Sequence, residues 1–136
     1  MKLGVLKEIK PGEYRVILTP GEISEYVRKG HDVYVEKGAG EAAGFENEQY
    51  TREGAIITDK NTIFRTCDIV VKVKEIEKEE YDLMRENQVI FTCIHPAAHK
   101  EEVDALLEKK VISFAAEDTH RHGSPNCEAA GKTGAF

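Results

Sequence analysis

The sequence predicts an α/β fold: a doubly wound, mostly parallel sheet of about six strands with helices on both faces, of the flavodoxin or Rossmann-like kind. Short β-branched runs recur along the chain, and helix-like stretches rather than two-residue turns follow them. That alternation is the pattern of βαβ units, whose parallel strands need crossovers that are nearly always right-handed. The composition agrees. A chain of 136 residues with 40% apolar and 32% charged side chains is globular. It is long enough to bury a core without disulfides or metals.

Strands are expected at residues 2–6, 32–36, 55–57, 68–73, 88–92 and 111–115. The second alternates polar and apolar residues strictly, and the fourth is almost wholly apolar, as a central strand should be. Thr19-Pro20-Gly21-Glu22 is a capping box with proline at the first helical position. Ile23 and Val27 then share one face, and Gly30 closes the helix in a left-handed conformation. Further helices are expected over 47–52, closed by Gly54, and over 61–66, 77–87 and 101–109. Tyr81 and Met84 should share a face of the fourth, and Val103, Leu106 and Leu107 should point inward from the fifth. Residues 1–126 read as one domain. Residues 127–136 read as the start of a connecting helix that is cut short, without a cap or turn.

Charge and cysteine content narrow the function classes. The formal charge is −6, from 19 basic and 25 acidic residues. An acidic chain without a basic stripe is a poor match for nucleic acid. The mean hydropathy is −0.46, and no apolar run approaches the ~20 residues of a membrane helix. Lys7 and Glu8 interrupt the amino terminus too early for a signal-peptide core. Cys67, Cys93 and Cys127 are odd in number and widely spaced, which fits reduced thiols in a cytoplasmic protein.

Four groups of residues carry candidate chemistry. Gly38-Ala39-Gly40-Glu41-Ala42-Ala43-Gly44 follows a strand, but its spacing is G-x-G-x-x-x-G and Glu41 would face a pyrophosphate. A loop needing positive φ and close packing explains it better. Lys72 and Lys74 stand two residues apart at the end of the fourth strand and so should point to one side, at the edge where parallel sheets bind ligands. The bland alternative is that both are solvated. His95, after the fifth strand, can exchange protons near neutrality, and Pro96 fixes the chain behind it. Arg15, in the loop after the first strand, could hold a carboxylate through two parallel hydrogen bonds. Zinc sites from His95 and His99, or from His120, His122 and Cys127, are conceivable but lack a recognised ligand spacing. Taken together, Arg15, Lys74 and His95 could converge on a small carboxylic acid.

These residues resemble the amino-terminal segment of the alanine dehydrogenase and pyridine nucleotide transhydrogenase family. The opening Gly4-Val5, Lys7-Glu8-Ile9, Arg15-Val16 and Leu18-Thr19-Pro20 is similar to the start of that family. Gly30-His31-Asp32-Val33, Gly38-Ala39-Gly40 with Gly44-Phe45, and Val71-Lys72-Val73-Lys74-Glu75 match in order and spacing. Residues 83–91, His95 and Glu117-Asp118-Thr119 do so as well. The resemblance implies a doubly wound substrate domain, built from this segment and a carboxyl-terminal return, with an NAD-binding domain inserted between. It implies that Arg15 and Lys74 bind the carboxylate and carbonyl side of a 2-oxo acid such as pyruvate. By the same resemblance His95 serves as the acid/base, an aspartate from sequence not present here completes the site, and the protein is a cytoplasmic homo-oligomer using NAD. The expected activity is the interconversion of L-alanine with pyruvate and ammonia. Three other readings remain: a carboxyethylornithine synthase-like enzyme, a transhydrogenase soluble subunit, and a binding module without catalysis. Two stretches depart from the family pattern, Pro96-Ala97-Ala98 and the short, histidine-rich 120–127. Both flank the site and bear on which amino acid is used.

Overall fold

The computed structural model describes residues 1–121 and 124–125. Six strands form one all-parallel sheet: β1 Lys2–Val5, β2 Asp32–Glu36, β3 Ile56–Thr58, β4 Ile69–Val71, β5 Val89–Thr92 and β6 Ile112–Ala115. Their spatial order is β3-β2-β1-β4-β5-β6. The chain winds outward from β1 to β3, then returns to place β4 on the other side of β1. The junction between β1 and β4 is therefore a topological switch point, where open α/β sheets form ligand crevices at their carboxyl edge. A short antiparallel pair, β7 His120–Arg121 and β8 Ser124–Pro125, lies apart from the sheet; the sequence reading had no strands there.

Helices cover both faces, as expected. Helices α1 (Pro20–Arg28) and α2 (Asn47–Arg52) supply Ile23 and Tyr50 to a core with Leu3, Val5, Val33, Val35 and Val71. The opposite core takes Ile63 and Phe64 from α3 (Lys60–Thr66) and Ala105 and Leu106 from α4 (Lys100–Glu108), packed on Val70 and Ile90. Alternation along β4 sends Val70 to one core and Val71 to the other, the two-residue period of a strand buried on both faces. Gly4 lets α3 sit against β1. A Cβ there would lie 2.4 Å from Ile63 Cγ2 and 3.0 Å from Cys67 Sγ.

The capping box forms. The Glu22 N–H donates to Thr19 Oγ1 at 3.5 Å and the Thr19 N–H donates to Glu22 at 2.8 Å. Gly30 takes φ +85° behind α1. Three expectations fail. The stretch 77–87 is not an α-helix but a 3-10 turn over Lys78–Leu83, whose Glu80 is fully buried. It has too few apolar residues to bury a helical stripe, and Glu80 turns inward to meet two lysines. Leu107 is 70% exposed, and Glu102 takes an inward position on α4 instead. β4 stops at Val71, so Lys72 and Lys74 are not a same-side pair on a strand. The expected helix over 127–136 lies outside the described residues.

One face of the sheet is open over β4–β6. Ile69, Val71, Val89, Phe91 and Phe114 line an apolar groove of about 400 Å³ together with Met1, Leu3, Tyr26 and His31. Among the described residues no helix is long and apolar enough to cross a membrane.

Candidate active site

Because all six strands run the same way, every loop after a strand emerges at one edge. Arg15 follows β1, Lys74 follows β4, His95 follows β5 and Glu117 follows β6. The first two flank the switch point. The Cys93 thiol lies within electrostatic reach of Glu117, Lys74, Arg15 and Glu8, and burial pushes it up from its ordinary range. The carboxyl edge thus gathers two cations and two carboxylates around one half-buried thiol.

Arg15 is tied down. Its guanidinium donates to Glu13 from Nε at 2.7 Å and from Nη2 at 2.6 Å, and its own N–H donates to the same carboxylate at 3.0 Å. This clasp holds Glu13 down to about 2, with the Lys74 charge adding to the effect. Sequence reading named Arg15 and missed Glu13. The spacing Glu-x-Arg in a loop was the available signal, since two residues is the reach of a carboxylate folding back onto its neighbour's amide.

Lys74 stands just past the last backbone pairing with the β5 arm, where the Val73 carbonyl accepts from the Cys93 N–H at 3.2 Å, and from there on its backbone is held by side chains. The Glu8 carboxylate accepts from the Val73 N–H at 2.5 Å and from the Lys74 N–H at 3.3 Å. Thr92 Oγ1 donates to the Lys74 carbonyl. Glu102 accepts from the Ile76 N–H at 2.7 Å. Glu75, between them, pairs with Lys10 and faces His99 Nε2 at 3.4 Å. Burial lifts Glu8 to about 7, against the pull of Lys72. Sequence reading missed Glu8 because nothing in a β1 overhang marks which loop its side chain will cap.

Lys72 is a correction in both directions. It is neither solvated nor in the site. It is buried and bonds Glu80 at 2.9 Å, and Lys60 meets the other Glu80 oxygen at 2.9 Å. Burial opposes the Glu80 charge, yet these ammonium groups hold its carboxyl below the ordinary range. Two cations around one carboxylate offset the desolvation that a lone buried charge would suffer.

His95 sits at φ +47°, in the left-handed region that side chains other than glycine rarely adopt. Strain of this kind persists only when neighbours enforce it. Here Glu117 does so. Its carboxylate accepts from the Ile94 N–H at 3.0 Å and the His95 N–H at 2.6 Å. The ring Nδ1 lies 3.6 Å from Glu117 Oε1, with the side chain 46% exposed. The described partner of the imidazole is therefore a carboxylate. The ring faces an open depression lined also by Pro96, Ala97, Ala98 and Asp118.

The remaining candidates take structural roles. Gly38 and Gly44 have φ +77° and +87°, and a Cβ on Gly40 would lie 2.7 Å from Tyr50. The glycine cluster is thus spent on turns and on packing, and its residues do not fit a dinucleotide cradle. His99 faces Glu75, and among the described residues no group of three or more His, Cys, Asp or Glu gathers as a metal site. His122 and Cys127 lie outside the described residues. Cys67 and Cys93 are free thiols.

Fold and edge together describe a doubly wound α/β domain with a charged cluster at its topological switch point. The chain belongs to the family of the alanine dehydrogenase/PNT amino-terminal domain, whose model matches residues 4–128. It is 42% identical over 118 residues to the alanine dehydrogenase of Methanococcus maripaludis, covering 86% of this chain and 32% of that protein. It is 48% identical over 118 residues to the alanine dehydrogenase of Bacillus subtilis, covering 86% and 31%. Among solved structures it is similar to an L-alanine dehydrogenase at TM-score 0.86 and 37% identity, over 90% of this chain and 34% of that one. It is also similar to a transhydrogenase from Sinorhizobium meliloti at TM-score 0.83 and 25% identity, over 90% and 37%. The chain spans about a third of the length of these relatives.

Proposed function

We propose that this chain is the substrate-binding portion of an NAD(P)-dependent amino-acid dehydrogenase that interconverts L-alanine with pyruvate and ammonia. The observation that carries the reading is the placing of Arg15 and Lys74 on the two loops that flank the switch point, both within electrostatic reach of Cys93, with His95 on a strained turn along the same edge. In this reading Arg15, oriented by Glu13, and Lys74, its backbone held by Glu8, bind the carboxylate and carbonyl oxygens of a 2-oxo acid. Charge-assisted hydrogen bonds of this kind fix both position and orientation. His95 carries a proton to and from the substrate at the carbonyl-derived oxygen and nitrogen, with Glu117 orienting its ring. A bound nicotinamide cofactor would supply the hydride as NAD(P)H in the reductive direction and accept it as NAD(P)+ in the oxidative one. In this proposal the cofactor is bound mainly by another domain of the full-length protein, a reading supported by the commitment of the glycines of loop 38–44 to turns and packing. The names of the relatives support alanine as the amino acid; a cytoplasmic setting and a homo-oligomeric enzyme are part of the proposal and rest on the family resemblance.

The test is to assay the full-length protein for NADH oxidation dependent on both pyruvate and ammonium. Absence of that turnover with any 2-oxo acid would overturn the reading. The likeness to a transhydrogenase favours one second reading, a hydride-exchange subunit. That reading is separated by hydride transfer between two nucleotides without any 2-oxo acid.

A further inference from the structure

The segment that presents Lys74 runs from Lys72 to Glu77 outside any strand or helix; its first two residues still pair with the β5 arm, the Lys72 N–H donating to the Phe91 carbonyl and the Val73 carbonyl accepting from the Cys93 N–H, both at 3.2 Å. Buried backbone donors cannot be left unpaired without cost, so its conformation depends on whatever accepts from them. Val73 and Lys74 are served by Glu8, on the β1 side. Ile76 is served from the opposite side by Glu102, on α4. Glu102 is only 1% exposed. It stands in the first turn of α4, where a carboxylate normally caps its own helix. It does not do so. The N-cap residue His99 makes no side-chain cap, and the Glu102 oxygen crosses to Ile76 at 2.7 Å. Its second oxygen is buried without a hydrogen-bond partner.

The position of Glu102 is what makes this bond informative. The chain leaves β5, turns at His95 and enters α4 at Lys100. Lys74 lies two residues before the amide that Glu102 holds, and His95 lies seven residues before Glu102 itself. The near end of the lysine arm is joined to the histidine arm by the Thr92 bond to the Lys74 carbonyl and by the backbone bonds at Phe91 and Cys93; this buried bond ties its far end, at Ile76, to the same arm. The His99 to Glu75 contact at 3.4 Å runs alongside it.

We propose that Glu102 is a positioning residue for the candidate active site: its carboxylate fixes the 72–77 segment, and with it the Lys74 ammonium, relative to the His95 turn. The proposal rests on the reading of Lys74 as a substrate-binding cation. It acts through the backbone, so it needs an acceptor oxygen at that reach and not a charge.

The test uses Glu102→Ala, Glu102→Gln and Glu102→Asp in the full-length protein. Two readouts are compared: hydrogen exchange at the Ile76 amide, and steady-state kinetics with pyruvate varied separately from NADH. Glu102→Ala should speed Ile76 exchange about tenfold to a hundredfold, the effect of losing one buried hydrogen bond. It should also raise KM for pyruvate by about tenfold to a hundredfold, leaving KM for NADH unchanged. Glu102→Gln, which keeps the acceptor, should restore both. Glu102→Asp, too short to reach, should behave as the alanine variant, and it carries the comparison if Glu102→Ala does not fold. Unchanged exchange and unchanged pyruvate KM in a folded variant would overturn the proposal, as would a glutamine variant no better than alanine. If the wild-type protein turns over no 2-oxo acid, the functional reading falls. The exchange data then still decide whether Glu102 holds the segment.

Discussion

At the scale of single residues, the site is a set of side chains held by carboxylates. Arg15 leans on Glu13, Lys74 rests on a backbone bonded to Glu8, and His95 is forced to φ +47° by Glu117. Replacing Arg15 or Lys74 by alanine in the full-length enzyme should lower kcat/KM for pyruvate roughly tenfold to a few hundredfold, the effect of one charge-assisted bond. Wild-type kinetics in both variants would return these cations to a structural role. His95→Gln should keep pyruvate binding yet lose about 10²–10⁴-fold in turnover, the usual share of acid/base catalysis. A binding titration beside steady-state rates separates the two effects. Glu8 gives a pH prediction. Burial raises its pKa from 4.5 to about 7 in the folded protein. The protonated form is the one the fold favours. Its contribution is therefore complete below about pH 4.5 and is lost as pH rises through about 7, by about 3 kcal/mol in all. Denaturant unfolding at several pH values should show that loss in the wild type. Glu8→Gln, which still accepts from Val73, should flatten it.

At the scale of elements, glycine and lysine decide where segments meet. Gly4 is where α3 approaches β1, and Gly4→Ala would drive a methyl to 2.4 Å from Ile63 Cγ2. Overpacking of that order should cost about 1–3 kcal/mol, read as a lower thermal midpoint. An unchanged midpoint would mean that α3 can shift at no cost. Helix α1 was legible from Thr19-Pro20-Gly21-Glu22 because a capping box is a local device, complete within four residues. The stretch 78–83 was not. Its form follows from Glu80 reaching Lys60 and Lys72, partners 20 and 8 residues away, which no local pattern announces. The same holds for Leu107 and Glu102. Helical periodicity placed the leucine inward, but the buried Ile76 amide recruited the glutamate.

At the scale of the molecule, the carboxyl edge of the sheet holds the groups proposed to bind substrate, and among the described residues the glycine loop 38–44 does not form a dinucleotide cradle. The 136-residue chain by itself, incubated with pyruvate, ammonium and NADH, should therefore leave NADH absorbance flat. Steady oxidation abolished by His95→Ala would contradict this. The open groove lined by Ile69, Val71, Val89, Phe91 and Phe114 lies on the sheet face away from α3 and α4. Helices α1 and α2 reach only the β3-β2-β1 half of that face.

The sequence by itself determined the six strands of the main sheet, most of the helices and the parallel pairing, and it placed Arg15, Lys74 and His95 as candidates on loops at one edge. Those follow from local rules: side-chain periodicity, capping residues, and the fact that loops after parallel strands share one edge. The family resemblance rested on the same local motifs. Tertiary structure decided the rest: that β1 and β4 are neighbours, that Lys72 is buried with Glu80, and that Glu8, Glu13, Glu102 and Glu117 hold the site. A buried carboxylate chooses its partner from whatever amide or ammonium the packed chain brings within about 3 Å. That choice exists only after strands far apart in sequence have been laid side by side.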